Sequence, residues 1–264
     1  MAQSVPKPPL KAKKSFGQHF LADIDALSMM AEAAEIEQGS HVLEIGPGYG
    51  TLTQVLAEAV GPKGRVLCIE KDRDVLPHLR DATKDFPQVT IVEGDALTAQ
   101  IPEDFSPYRI VANIPYYITT PLIKRFLFDQ TVLPRSLTLL VQKEYAERAT
   151  DDAPKGSSLG MMLRAFGEPQ YIASVPKELF MPPPKVDSAI LHLDVQTPHE
   201  DFRPLLRFIQ QGFGLPRKKL AKQLLHLGVD KKDASLYGDK RPGELSFEDW
   251  QHLFTSFSAA RKDR

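Results

Sequence analysis

A chain of 264 residues with 42% apolar and 25% charged residues can form one large domain and a small second one, and its composition is typical of a soluble globular protein. The single cysteine excludes an intrachain disulfide and a zinc site built from cysteines, and no run of about 20 apolar residues is present to span a membrane. The net charge of −1 conceals basic ends, since residues 1–14 carry +4 and residues 201–264 carry +5, which suits either a bound polyanion or solvated tails.

Residues 1–14 are rich in proline and lysine and contain no apolar block. This composition predicts a disordered basic tail and is not typical of a signal peptide. We therefore expect a cytoplasmic protein with no membrane partner.

The pattern from about residue 41 to residue 194 alternates strands with helices. Such alternation predicts a mostly parallel sheet covered by helices. Strands are predicted at 41–45, 65–70, 89–93, 108–112, 136–142, 170–175 and 186–193, and helices between most of them, for example at 51–60 and 121–128. Only a loop, residues 176–185, separates the last two strands, so we expect them to pair antiparallel at one edge.

Strand signals stop near residue 200, and amphipathic helices are predicted at 201–213, 217–227 and 246–260. The last of these opens with a Ser246…Asp249 capping pattern. The sequence therefore predicts a basic tail over 1–14, an α/β catalytic domain over 15–198 and an all-helical domain over 199–264.

A glycine-rich loop, residues 46–50, joins the first predicted strand to a helix. A dinucleotide-binding loop has glycine at its first, third and sixth positions, whereas Gly46 and Gly48 are followed here by a glycine at the fifth position. Glu44 stands two residues before the loop, where an acid disfavours a pyrophosphate. It favours a cationic ligand, such as the sulfonium and amino groups of S-adenosylmethionine.

Glu70 closes the second predicted strand and Asp95 follows the third, at the edge of the sheet where ligands of such folds bind. Glu70 can accept hydrogen bonds from both hydroxyls of a ribose, and Asp95 can accept one from an adenine amine. Each acid alone could equally be a helix cap or a solvated turn. Together with the loop they favour a methyl-donor site, with a nicotinamide-linked oxidoreductase as the alternative.

The tetrapeptide Asn113-Ile114-Pro115-Tyr116 follows the fourth predicted strand. The asparagine oxygen and a neighbouring backbone carbonyl can each accept one N–H of an exocyclic amine, and the tyrosine can stack on the attached ring. Adenine fits this description. Asn-x-Pro is also ordinary turn chemistry, so the tetrapeptide alone leaves both interpretations open.

With these features the chain resembles the rRNA adenine-N6 methyltransferases, and most of all the small-subunit (16S-type) rRNA adenine-N6,N6-dimethyltransferase family. The resemblance covers about residues 15–255. Four further segments carry it, namely FGQHFL at 16–21, FMPPPKVDSA at 180–189, RKKL at 217–220 and RPGELS at 241–246. His19 and Tyr117 stand at positions where the family often has asparagine.

The resemblance implies a Rossmann-like, S-adenosylmethionine-dependent methyltransferase sheet followed by a small helical RNA-binding domain. The implied substrate is N6 of two adjacent adenines in a loop near the 3′ end of small-subunit rRNA, within a 30S-type particle, and we expect a monomer without a metal ion. The implied cofactor contacts are His19, Leu21, Gly46, Gly48, Glu70, Asp95 and Asn113. The implied catalytic residues are Asn113, Ile114, Pro115, Tyr116 and Phe180. The implied RNA contacts are Arg217, Lys218, Lys219 and Lys222.

Several alternatives remain at this point. Phe180 is our candidate for the second stacking face of the target base, but it could instead be a core residue. The basic cluster at 217–222 could be a solvated face. An erythromycin-resistance type methyltransferase of large-subunit rRNA and a ribosome-assembly or RNA-binding factor of the same fold are the alternative functions. The segment at 241–246 and the three consecutive prolines favour the small-subunit family.

Overall fold

The computed structural model describes residue 13 and residues 18–130, 132–196 and 202–262, with side chains up to residue 258. The chain folds as two compact units. The first comprises the chain up to Ala146 together with Gln170–Val195, and the second comprises Glu147–Pro169 and the chain from Gln196 onward. In the part of the chain that is described, no helix is long and apolar enough to cross a membrane.

The secondary structure follows the predicted alternation in the first unit. The strands are β1 (Phe20–Leu21), β2 (His41–Ile45), β3 (Arg65–Glu70), β4 (Val89–Glu93), β5 (Arg109–Asn113), β6 (Ser136–Gln142), β7 (Gln170–Val175), β8 (Phe180–Met181) and β9 (Ser188–Asp194). The helices are α1 (Ile24–Ala33), α2 (Thr51–Val60), α3 (Leu76–Ala82), α4 (Thr119–Phe128), α5 (Lys143–Thr150), α6 (Ser158–Arg164), α7 (Arg203–Gly212), α8 (Ala221–Leu227), α9 (Lys231–Tyr237) and α10 (Phe247–Lys262).

Within the described residues, a central sheet has seven strands in the order β4-β3-β2-β5-β6-β9-β7. The strands from β4 to β6 run parallel, and β9 runs antiparallel to both β6 and β7. This Rossmann-like arrangement confirms the predicted mostly parallel sheet with an antiparallel edge. It also brings the carboxyl ends of β2, β3, β4 and β5 to one side of the sheet, where Glu70 and Asn113 end their strands and Asp95 follows β4.

Five of the predicted strands have the observed bounds. The inner strands β2, β3 and β6 are buried over most of their length, whereas the edge strands β4 and β7 are partly exposed. The strand predicted at 108–112 is observed one residue later, since Asn113 still pairs with Leu140 of β6. The strand predicted at 186–193 begins only at Ser188. Val186 is exposed, and the Asp187 side chain accepts a hydrogen bond from the Lys177 amide, so both residues belong to the preceding loop.

The second unit is helical and packs around Trp250, which is fully buried against the rings of Phe208 and Phe213. The predicted capping box at the start of α10 is confirmed, because Ser246 and Asp249 each bond the other's backbone amide through a side-chain oxygen. The helix predicted at 201–213 is observed from Arg203 to Gly212; position 201 lies outside the described residues.

Two sequence-based expectations differ from the structure of this unit. The helix predicted at 217–227 begins only at Ala221, because the amides of Leu220 and Ala221 bond the carbonyls of Lys240 and Gly238 across the unit. Residues 147–169 were expected in the catalytic domain but fold with the second unit, where α6 packs on α7. A helix between two strands is typical of a crossover connection in an α/β sheet, and its sequence alone does not show which part of the protein it packs against. The predicted tail, apart from Lys13, lies outside the described residues.

Candidate functional site

A cavity in the first unit opens at the carboxyl ends of β2, β3, β4 and β5. It brings together every residue that the sequence predicted for cofactor binding or catalysis. These are His19, Leu21, Gly46, Gly48, Glu70, Asp95, Asn113, Ile114, Pro115, Tyr116 and Phe180. Parallel strands place their ends side by side, so residues far apart in the sequence line one cavity.

The loop after β2 has a backbone that requires glycine. Gly46 and Gly48 have φ angles of +66° and +58°, values that side-chain-bearing residues rarely adopt. A β-carbon at Gly46 would meet no heavy atom within 4 Å, whereas one at Gly48 would lie 3.0 Å from the Phe20 ring. The loop is therefore open beside Gly46, which leaves room for a ligand, and closed by Phe20 beside Gly48.

Glu70 joins this loop to the end of β3. Its side chain is 7% exposed, and its two carboxylate oxygens accept hydrogen bonds from the amides of Gly48 (3.0 Å) and Asp72 (2.7 Å). Burial raises the pKa of Glu70, although the backbone hydrogen bonds from Asp72 and Gly48 oppose that rise. A carboxylate has about four acceptor positions, so Glu70 can still accept a hydrogen bond from the ribose of a ligand.

Glu44 is almost fully buried, which its sequence position did not reveal. Burial raises its pKa to about 7, against the lowering effect of hydrogen bonds from Thr53 and Cys68. The Cys68 thiol donates to a Glu44 oxygen at 3.5 Å. Near neutral pH Glu44 is therefore only partly ionised in the absence of a ligand, and a cation in the cavity would favour its ionised form.

Asp95 lies after β4 and is held in its ionised form. The Leu97 amide and the Lys71 ammonium each donate to it at 2.9 Å, and these hydrogen bonds lower its pKa. Lys71 also lines the cavity, and the sequence reasoning missed it. Its position directly after Glu70 was the available signal.

The Asn113 tetrapeptide leaves β5 and turns into a short 3₁₀ helix, Tyr116–Ile118. The side-chain nitrogen of Asn113 donates to the His19 carbonyl at 3.5 Å, which leaves the side-chain oxygen free to accept a hydrogen bond from a ligand. The Tyr116 hydroxyl is 2.7 Å from the Ser188 hydroxyl, which fixes the ring. Burial raises the pKa of Tyr116, so its phenol is neutral at physiological pH.

Two short strands close the cavity on the side of this tetrapeptide. Leu21 of β1 pairs with Phe180 of β8, and the His19 ring bonds the Pro182 carbonyl at 2.8 Å. The His19 ring also faces the Tyr116 ring, with 6.3 Å between centroids and 21° between planes. Phe180 is 4% exposed and packs in the hydrophobic core while it also lines the cavity, so its stacking role stays a prediction.

The predicted RNA contacts lie elsewhere, in the second unit. Arg217, Lys218 and Lys219 occupy an exposed turn, and Lys222 lies in the first turn of α8. The Lys219 ammonium pairs with Asp239 at 2.8 Å, while the next residue in the chain, Leu220, is fully buried. The apolar residue anchors the turn and leaves the cations on the surface. Among the described residues, no group of three or more His, Cys, Asp or Glu is arranged to hold a metal ion.

Comparison with known proteins places these features in context. Residues 10–257 match the family model described as ribosomal RNA adenine dimethylase. The chain is 33% identical over 268 residues to ribosomal RNA small subunit methyltransferase A of Dehalococcoides mccartyi, with 94% of this chain and 89% of that protein covered. It is 35% identical over 259 residues to the protein of the same name from Clostridium botulinum, with 92% and 93% covered.

Two solved structures are similar over nearly their whole length. One is the 23S rRNA methyltransferase ErmE, with 28% identity, a TM-score of 0.75, and coverage of 90% of this chain and 99% of that one. The other is a dimethyladenosine transferase from Plasmodium falciparum, with 25% identity, a TM-score of 0.76, and coverage of 92% and 98%.

Proposed function

Because the chain belongs to the ribosomal RNA adenine dimethylase family, we propose that it methylates adenine N6 in small-subunit ribosomal RNA, twice on the same nitrogen. The names of the relatives from Dehalococcoides mccartyi and Clostridium botulinum support the small subunit as the source of the RNA. The observation that carries the proposal is the single cavity that joins three acidic strand ends to the Asn113 tetrapeptide.

The cofactor is S-adenosylmethionine, and the cavity fits it. The open loop at Gly46 leaves space for the amino-acid end, Glu70 has acceptor positions for ribose hydroxyls, and Asp95 is an ionised acceptor for the adenine amine. The remaining proposed cofactor contacts are His19, Leu21, Gly48 and Asn113. When bound, S-adenosylmethionine supplies a methyl group that its positively charged sulfur activates towards a nucleophile.

The side chains after β5 prepare the nucleophile. Neutral adenine N6 is weakly nucleophilic because its lone pair is delocalised into the ring. In our proposal the Asn113 side-chain oxygen and the Ile114 carbonyl accept the two N6–H bonds, which favours a pyramidal nitrogen with an available lone pair. Positioning and polarisation by these acceptors then account for most of the catalysis.

The aromatic residues hold the target base. Tyr116, fixed through Ser188 and kept neutral, stacks on one face of the adenine, and Pro115 sets the direction of the turn. Phe180 is the proposed contact for the other face. The target base has to leave its stack to enter the cavity, and this costs less in an RNA loop than in a duplex.

The finer features of the substrate belong to the same proposal. We propose that the targets are two adjacent adenines in a loop near the 3′ end of the RNA, within a 30S-type particle, and that a cytoplasmic monomer acts on them. Arg217, Lys218, Lys219 and Lys222 are proposed to contact RNA phosphates. Neutralising the first three is expected to lower the slope of log affinity against log salt by about 0.7–0.9 per lost contact. An unchanged slope would make that cluster a solvated face.

One alternative keeps direct support, because the similarity to the ErmE structure is as extensive as that to the dimethyladenosine transferase. A large-subunit target is therefore the second candidate function. We would incubate the protein and S-adenosylmethionine with 30S particles and with large-subunit RNA in parallel, and digest both for mass spectrometry. Dimethyladenine in the 30S sample alone is expected. Product only in large-subunit RNA would favour the alternative, and binding of 30S particles without product would favour an assembly factor.

A further inference from the structure

Asp72 is a buried acid that none of the roles above uses. It lies two residues after Glu70, lines the same cavity and is 3% exposed. A buried carboxylate is costly unless hydrogen bonds or opposite charges compensate it, so its partners indicate what it does.

The partners of Asp72 come mainly from the segment before β1. The Lys13 ammonium donates to one carboxylate oxygen at 2.6 Å, and the side-chain amide of Gln18 donates to the other at 2.7 Å. The side-chain oxygen of Gln18 in turn accepts a hydrogen bond from the backbone amide of Lys13 at 2.8 Å. Burial would raise the pKa of Asp72, but the hydrogen bonds from Lys13 and Gln18 outweigh it and lower the pKa, so the carboxylate is ionised.

The residues that follow Gln18 form one wall of the cavity. The His19 carbonyl accepts a hydrogen bond from the side-chain amide of Asn113. The Phe20 ring packs on Tyr49 of the glycine-rich loop, with 4.6 Å between ring centroids. Leu21 pairs with Phe180 on the opposite strand. Whatever fixes Gln18 therefore also fixes this wall.

We infer that Asp72 is a positioning residue that fastens the N-terminal segment, Lys13 and residues 18–21, against the cofactor cavity. The Asp72 amide also donates to Glu70, the proposed ribose acceptor, so one short loop links the fastening to the cofactor contact. The inference rests on the proposed function, since the cavity must be the S-adenosylmethionine site. Loosening Asp72 should speed cofactor release and, because the same segment contacts Asn113 and Phe180, should also slow the methyl-transfer step.

The chain provides a matched control in Asp74. Its carboxylate also pairs with Lys13 at 2.6 Å, but its side chain is 62% exposed. Exposed pairs contribute little because water screens them. Asp74→Asn removes the same type of charge two residues away and leaves Asp72 its donors, which are Lys13, Gln18 and the backbone amide of residue 74.

The test measures the affinity of S-adenosylmethionine by titration calorimetry without RNA, together with separate KM values for cofactor and RNA. Asp72→Ala is expected to weaken cofactor binding about tenfold or more, as for the loss of a buried charged hydrogen bond. The KM for cofactor should rise in parallel and kcat at saturating cofactor should fall, while the KM for RNA stays within about twofold. Asp74→Asn should match the wild type.

A charge exchange sharpens the test. Gln18→Glu places two carboxylates where a 2.7 Å hydrogen bond now lies and is expected to weaken binding as much as Asp72→Ala. In the double variant Gln18→Glu/Asp72→Asn the side-chain amide at position 72 can donate to the carboxylate at position 18. This variant should recover most of the affinity for S-adenosylmethionine.

The outcomes separate this inference from the proposed function. A folded wild-type protein that fails to bind S-adenosylmethionine would contradict the function itself. Wild-type affinity in Asp72→Ala would overturn the inference alone. If Asp72→Ala does not fold, the Lys13→Ala/Gln18→Ala variant replaces it, and wild-type affinity there shows that Asp72 does not act through the N-terminal segment.

Discussion

The cofactor side and the target-base side of the cavity are built in different ways. On the cofactor side, Gly48 and Glu70 stand at or just after the ends of two neighbouring parallel strands, and the backbone amide of Gly48 donates a hydrogen bond to the Glu70 carboxylate. On the target-base side, Asn113, Tyr116 and Phe180 depend on segments far apart in the sequence, and their bonds join side chains or short strands. The sheet thus preforms one side, whereas the other exists only when three distant segments meet.

Because the two sides are built differently, substitutions on them should affect different properties. A change on the cofactor side should alter cofactor affinity and little else, because its geometry is set by the sheet. A change on the target-base side should alter catalysis more than binding, because small displacements of a reacting base are costly.

Asn113→Ala should have the largest effect. It removes the proposed acceptor of the N6–H bond, and loss of one such polar contact typically lowers kcat by about 10²–10³-fold. RNA binding should be largely retained, because phosphate contacts provide most of that affinity. Single-turnover methylation and filter binding measure the two properties. Turnover like that of the wild type would refute the role of Asn113.

Glu70→Gln should have the next largest effect, and on the other side of the cavity. The amide NH₂ would face the amide of Gly48 or of Asp72, both donors, and the charged acceptor for the ribose is lost. We expect cofactor affinity to fall about 10- to 100-fold, as for hydrogen bonds to charged groups. Calorimetry measures the affinity, and kcat at saturating cofactor serves as the control. A fall in kcat with unchanged affinity would break the division between the two sides.

Tyr116→Phe should have a smaller effect on the target-base side. The ring remains for stacking, but the 2.7 Å hydrogen bond to Ser188 is lost. A neutral hydrogen bond contributes about 1 kcal/mol, so we expect kcat/KM for RNA to fall roughly fivefold. Ser188→Ala should give the same loss, and the double variant should add nothing to it. Additive losses would show that the two hydroxyls act separately.

Glu44→Gln should have the smallest effect on turnover and a clear effect on pH dependence. Burial raises the pKa of Glu44 from 4.5 to about 7, so between these values the native state binds a proton that the unfolded chain releases. The free energy of unfolding contributed by this group therefore falls as pH rises from about 4.5 to 7. Denaturant unfolding of the ligand-free protein at pH 5 and pH 8 should show a smaller difference in the variant than in the wild type.

Much of the fold could be predicted because its signals are local. The buried strands are continuous apolar runs, and Gly46 and Gly48 mark a turn that requires glycine. Glu70, Asp95 and the Asn113 tetrapeptide could be predicted because they stand at or just after the ends of their strands, whereas His19, Leu21 and Phe180 followed from the family resemblance.

The rest depends on contacts that a local pattern does not contain. The pairing of β1 with β8 joins two residues to two others about 160 positions away, and the partners of Asp72 lie 54 and 59 positions before it. The raised pKa of Glu44 depends on its burial in the folded protein. The position of residues 147–169 in the second unit likewise follows from packing, which helix periodicity does not specify.

The short β1–β8 ladder has a consequence for synthesis of the chain. His19 and its partner Pro182 are separated by 163 residues. At translation rates of about 5–20 residues per second, roughly 8–33 s pass between synthesis of the N-terminal segment and synthesis of the strand that completes the cavity wall. The nascent chain therefore has its parallel strands before it has a closed cavity, and cofactor retention should begin only when the end of the catalytic unit has been made.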